Sequence, residues 1–164
     1  MKVHVLERSQ VLPISIEQAW SFFSTPRNLS LITPPELGLR IREPFDDQAA
    51  YDGQLIRYTV RPLLGIPLPW LTRIERVSAP THFADTQLRG PYARWYHEHR
   101  FESVEGGTRM HDRVEYALPL GPVGALMHRL VVRRRLERIF DFRRMVLEGL
   151  FPASREHHAR TMAA

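Results

Sequence analysis

Residues 95–118 read WYHEHRFESVEGGTRMHDRVEYAL, two alternating runs joined at Gly106-Gly107. Alternation with a period of two puts every second residue on the same face of a strand, and a Gly-Gly pair between two such runs supplies the positive φ angles of a tight hairpin turn. With those glycines as the loop, Glu105 pairs with Thr108, Phe101 with Asp112, His99 with Val114, His97 with Tyr116 and Trp95 with Leu118. Trp95, His97, His99, Phe101, Asp112 and Tyr116 then share one face. Tyr96, Glu98, Arg100, Glu102, His111, Arg113 and Glu115 share the other, and their polarity makes the first face the buried one.

The same period runs upstream. Leu39 and Ile41 open the series. Ile56, Tyr58 and Val60 alternate with Arg57, Thr59 and Arg61, and Trp70, Thr72 and Ile74 alternate with Leu71, Arg73 and Glu75. Asp85 and Gln87 share a face in the next run. Asp52-Gly53, Ala79-Pro80 and Gly90-Pro91 divide these segments as turns between antiparallel strands. Before them, His4 to Leu12 reads as a first strand ending at Pro13. Ser15 and Gln18 then form a capping box, opening a helix that carries Ile16, Ala19, Trp20 and Phe23 until Pro26. Asn28 to Pro35 allows a short second helix that Pro34-Pro35 must stop.

Downstream of Pro119, Gly121 and Pro122 the period becomes 3.6, from about Val123 to Phe151. At 1.5 Å per residue this is a helix of roughly 40 Å. Val132, Leu136, Ile139, Val146 and Leu150 are its expected apolar stripe, and Pro152 closes it. The fold class is therefore α+β: about seven curved antiparallel strands wrapped on a long C-terminal helix, with one or two short helices after the first strand. A helix stripe spans roughly 10 Å, while seven strands at about 4.8 Å are much wider, so the sheet must curl, and a gap beside the helix is expected. Residues 1–152 form one domain in this reading, and residues 153–164, small and polar, a flexible tail.

Phe83, Asp85, Gln87, Gly90-Pro91, Trp95, His97, His99, Phe101, Gly106-Gly107-Thr108, Asp112, Val114, Tyr116 and Pro119-Leu120-Gly121 together resemble the START-like ligand-binding superfamily, also called SRPBCC. The nearest branch is the small bacterial stand-alone proteins often labelled cyclase or dehydrase. The resemblance covers about Val3 to Pro152. It implies a helix-grip fold whose cavity holds lipids, polyketides or other apolar molecules, and it implies that Asp85 and Gln87 face that cavity.

Composition narrows the chemistry. The 164 residues contain no cysteine, which removes disulfides, thiolate metal sites and a cysteine nucleophile and points to a reducing cytoplasm. Met1 to Leu12 lacks the apolar core of a signal peptide, and no apolar run approaches the roughly 20 residues of a membrane-spanning helix. The net charge of +5 is arginine charge, much of it in Arg129, Arg133, Arg134, Arg135, Arg138, Arg143 and Arg144. These splay around the last helix and are interrupted by Glu137 and Asp141, so a solvated outer face is expected rather than a surface for anionic membrane or nucleic acid. No phosphate-binding glycine loop, GxSxG, HExxH or EF-hand pattern occurs, and Glu98 of His97-Glu98-His99 points to the opposite strand face.

His97 and His99 have three readings: core histidines satisfied by Asp112, Asp85 or Gln87; polar groups of a binding pocket; and, least favoured for want of a third histidine or thiolate, a metal site. Asp112 is either a paired structural charge or a general base. Trp20, Tyr58, Trp70 and Trp95 either stack on a planar ligand or pack the core. The reading reached is binding of a mostly apolar small molecule (lipid, polyketide or aromatic), recognised by Trp95, His97, His99, Phe101, Asp112, Tyr116, Asp85, Gln87, Tyr58 and Trp70. The alternative is a cyclase- or dehydratase-type enzyme with His97 or His99 and Asp112 as acid and base. No catalytic residue is assigned, and no cofactor, metal, nucleic acid or stable membrane insertion is expected. The loops Leu64 to Pro69 and Gly90 to Tyr92 are candidates for the cavity mouth.

Overall fold

A computed structural model describes residues 2–62 and 65–153. The flexible tail assigned to residues 153–164, with its His157-His158, lies outside the described residues apart from Ala153, as does Leu64 of the expected mouth loop. Strand β1 is His4–Leu12 and helix α1 is Ile16–Phe23; 3-10 turns follow at Pro26–Ser30 and Pro35–Leu37. The remaining strands are β2 Arg40–Ile41, β3 Leu55–Val60, β4 Leu68–Ser78, β5 His82–Arg89, β6 Arg94–Val104 and β7 Gly107–Ala117. Helix α2, Gly121–Met127, passes through a π turn at His128–Val132 into α3, Arg133–Leu150.

The seven strands form one antiparallel sheet ordered β1-β7-β6-β5-β4-β3-β2. Sequence neighbours β2 to β7 pair in succession, and β1 joins β7 to complete the curve. Strand β4 shifts register between Leu71 and Thr72 and again between Glu75 and Ser78. Such bulges raise local twist and help a sheet bend around a single helix. The capping box forms as read, Gln18 N–H donating to Ser15 Oγ and Ser15 N–H to Gln18 Oε1. The two short 3-10 turns replace the single short helix expected at Asn28 to Pro35, because Pro26 and Pro35 each start a turn and neither turn can lengthen through Pro34.

The β6–β7 hairpin differs from the sequence reading by a slip of two residues. Val104 pairs with Gly107, so the loop is Glu105-Gly106, and His99 opposes Asp112 while His97 opposes Val114 and Trp95 opposes Tyr116. Gly107 is required in the strand, since a Cβ there would meet the Leu12 carbonyl oxygen of β1 at 2.0 Å. Gly106, at φ 83°, carries the turn. A slip of two leaves every side chain on its expected face, so the inward set survives with new partners.

The last helix presents a different line from the expected stripe. Leu136, Phe140, Arg143 and Leu147 are its buried residues, at i, i+4, i+7 and i+11, whereas Leu150 is exposed. The error lies in treating Arg143 as a surface cation with the other arginines. Its guanidinium lies 3.7 Å from Asp112 Oδ1 and 4.9 Å from the Phe140 ring centroid, so an inward charge displaces an apolar residue from the stripe. Among the described residues no helix is long and apolar enough to cross a membrane.

Candidate functional site

Three adjacent strands build the polar centre of the inner face. Asp85 on β5 lies directly across from His97 on β6, and Asp112 on β7 lies directly across from His99. Each imidazole therefore has one carboxylate opposite it and the other on the diagonal. His97 Nε2 is 2.9 Å from Asp112 Oδ1 and its Nδ1 is 3.3 Å from Asp85 Oδ2. His99 Nδ1 is 2.9 Å from the same Asp112 oxygen and its Nε2 is 3.4 Å from the same Asp85 oxygen. The histidine rings are 3.9 Å apart, and Phe83 stacks beneath His99 at 4.3 Å. Helix α3 closes the group from above with Arg143, and Phe140 lies edge-on to His97.

Burial of these charges sets their chemistry. Removal from water alone would push both aspartates up, but hydrogen bonds from His97 and His99 outweigh it and hold both carboxyls well below the usual range. For His97, burial pushes the imidazole down, and the Asp112 and Asp85 carboxylates more than offset it, so the ring sits above its ordinary value. The group is a compact alternation of anion and imidazole in which the protonated form of His97 is favoured. Around it the side chains of His99 Nδ1, Asp112 Oδ2 and Arg143 Nε are buried without a hydrogen-bond partner.

Between this group and α3 the sheet leaves a hollow of about 180 Å³. Asp85, His97, His99 and Arg143 form its polar end, and Ile56, Tyr58, Trp70, Trp95 and Leu136 are among its mostly apolar walls. Tyr58 stacks on Trp70 at 5.6 Å, and Trp95 meets Trp70 edge-on at 5.2 Å. The Tyr58 hydroxyl pairs with Thr72 Oγ1 at 2.9 Å, and burial raises its pKa, so it remains a neutral phenol. A second hollow of about 240 Å³ lies toward α2 and shares Leu37, Pro62, Tyr92, Leu136 and Ile139 with the first. Those five residues are the partition between an inner chamber with a polar end and an outer, almost wholly apolar one.

The structure gathers Asp85, His97, His99, Tyr58, Trp70 and Trp95 around the inner hollow. The other four residues expected there lie elsewhere. Asp112 sits behind the histidine rings and reaches the hollow only through them. Gln87 clips the turn before β6, its Nε2 donating to the Tyr92 carbonyl at 2.7 Å while Tyr92 N–H donates back at 3.3 Å. Phe101 packs against Trp20, Phe23 and Phe83 in the core. Tyr116 turns toward the helix start, where its hydroxyl meets His128 Nε2 at 3.0 Å. Sequence reading missed Arg143 at the site, and Tyr92, expected only within a mouth loop, lines both hollows. The signal for Arg143 was present as Phe140 and Leu147 three before and four after it.

No family model matches the sequence, and no curated protein is similar to it in sequence. Solved structures are similar in fold. The Zhui aromatase/cyclase from a Streptomyces species superposes with a TM-score of 0.70 at 16% identity, over 90% of this chain and 93% of that one. A START superfamily protein from Mycobacterium smegmatis gives 0.66 at 12% identity, over 90% and 97%. The chain has the START-like, helix-grip fold. Ara h 8.0201 adds a third instance, with a TM-score of 0.58 and 17% identity over 90% of this chain and 99% of its own. At these identities the likeness speaks for the START-like architecture, and the residues of the hollow must speak for what it holds.

Proposed function

We propose that this START-like domain binds one mostly apolar small molecule, a lipid, polyketide or aromatic, in the cytoplasm. The apolar body lies between sheet and α3, and an oxygen-bearing end faces His97, His99, Asp85 and Arg143. The observation that carries this reading is the clustering of the charged lining groups of the inner hollow, Asp85, His97, His99 and Arg143, among largely apolar walls. The adjoining apolar chamber beyond Tyr92 and Leu136 gives a longer ligand room to extend. Native mass spectrometry of the expressed protein, with a thermal-shift screen of lipids and aromatics, tests it. A ligand at 100 times its Kd stabilises by about 2.7 kcal/mol, roughly 5–10 °C for a domain of this size. No bound mass and no shift from any apolar compound would refute it.

A second reading is an enzyme of the cyclase or dehydratase type. It is favoured by the 2.9 Å bond between His97 Nε2 and Asp112 Oδ1, which orients the ring as a general acid or base requires, its other nitrogen standing 3.3 Å from Asp85 Oδ2. In this reading Asp112 acts through the imidazole rather than on the substrate. Turnover of a polyketide-like substrate that is unchanged in both His97→Gln and His99→Gln would remove it, whereas a binding protein loses affinity alone.

A further inference from the structure

The contacts made by Asp85 are longer than those made by Asp112 to the same two rings. Charge-assisted N–H to carboxylate bonds run at about 2.7–2.9 Å. Asp112 meets that standard with both rings at 2.9 Å. Asp85 Oδ2 does not, standing 3.3 Å from His97 Nδ1 and 3.4 Å from His99 Nε2. Two donors on one metal ion, each bonded at about 2.0–2.2 Å, are separated by roughly 3.0–3.4 Å for angles between square and tetrahedral. The Asp85 oxygen thus stands from each imidazole nitrogen as two ligands of one ion do, and one ligand atom from each of the three residues lies within 4.8 Å of the others.

We propose that Asp85 Oδ2, His97 Nδ1 and His99 Nε2 bind a single divalent transition-metal ion whose remaining coordination positions open onto the inner hollow. A donor set of two imidazoles and one carboxylate suits Zn2+ and Fe2+. Asp112 is the outer support of the site. Its Oδ1 is hydrogen-bonded at 2.9 Å to Nε2 of His97, the position from which a carboxylate fixes the tautomer and aim of a ligating histidine, and it lies 2.9 Å from Nδ1 of His99. Arg143, 3.7 Å from that oxygen, steadies the carboxylate in turn. Asp112 Oδ2 and Arg143 Nε, buried beside the site, have no hydrogen-bond partner, so the polar groups around it do not satisfy one another fully. The third donor missing from the sequence reading is Asp85, which alternation on β5 puts on the same face and which that reading takes as a hydrogen-bonding and ligand-recognition group. This inference goes beyond apolar-ligand binding and does not depend on it.

The test uses the full chain with His157 and His158 replaced by Ala, stripped with a chelator and titrated with Co2+, with Zn2+ as competitor. One ion per chain is expected, with visible Co2+ absorption that Zn2+ abolishes. Asp112→Asn is expected to weaken binding about 10–100-fold, and Asp85→Asn to weaken it further. Absence of stoichiometric uptake overturns the proposal, and so does uptake that Asp85→Asn leaves unchanged. Where a variant fails to fold, the 15N resonances of the starting protein decide. Zn2+ must move Nδ1 of His97 and Nε2 of His99, and movement only at other histidines overturns the assignment.

Discussion

His97 and His99 lie between two aspartates in the middle of the sheet, whereas His4 on β1 and His128 on the π turn stack directly on each other, 3.5 Å between centroids and 11° from parallel. No salt bridge reaches the second pair among the described residues; its polar partner is the Tyr116 hydroxyl at 3.0 Å from His128 Nε2. The environments drive His97 and the stacked pair in opposite directions. The aspartates lift His97 above its ordinary value against the cost of burial. Burial pushes His128 down, helped by His4, Arg133 and Lys2, and burial with Lys2 pushes His4 down. The first pair sits on one strand and the second joins β1 to the π turn; carboxylates favour the charged form of His97, whereas burial favours the neutral forms of His4 and His128. A histidine's contribution is set by whether a carboxylate faces it.

The sharpest way to break this contrast is to remove its source. Asp112→Ala takes away the acceptor shared by both rings and leaves Arg143 buried beside them without a counter-charge. Breaking a buried ionic group from one side costs about 3–5 kcal/mol, so chemical denaturation is expected to show a loss of that order. A loss below about 1 kcal/mol would mean that water or another group already serves the rings. Arg143→Met tests the same group from the helix side. Met keeps the apolar stem over Phe140 but gives up the charge, and a loss of about 1–3 kcal/mol is expected, the range for leaving one buried partner unsatisfied. An unchanged midpoint would show that the 3.7 Å separation from Asp112 contributes nothing.

Arg143 also shows where sequence reading stops. Alternation identified the inward face of β5, β6 and β7, and a hairpin misplaced by two residues did no harm, because the side-chain period is two and an even slip preserves the face. Pairing partners were not legible. The loop position depended on Gly107 being pressed against Leu12, a contact between segments about a hundred residues apart. Gln87 and Tyr116 were placed on the right face but spent on other tasks, a turn clip and a helix anchor, since period alone says nothing of how far along a strand the hollow extends. Arg143 stood in a run of arginines that is otherwise solvated. Arg133 pairs with Glu137 and Arg144 with Glu148 on the exposed side at i to i+4, and only the apolar residues flanking Arg143 distinguish it from them.

The pH dependence of the stacked pair gives the smallest effect and separates the two regions most cleanly. His4 and His128 both have folded-state values below the ordinary 6.5. Between those lowered values and 6.5 the unfolded chain binds more protons than the folded one, so stability rises with pH across that window. The stabilisation is fully present above about pH 6.5 and declines as the pH falls through it. Lys2 and Arg133 face His128 from the N-terminal segment and the start of α3, with the Tyr116 hydroxyl on β7, and both cations oppose its protonation. His128→Gln keeps a polar partner for Tyr116 without the titration. Urea midpoints measured between pH 7.5 and 5.5 are expected to fall less in His128→Gln than in the starting protein. An equal fall in both would move the proton-linked strain away from the stacked rings, and a steeper fall in the variant would show that the stack protects the fold against acid.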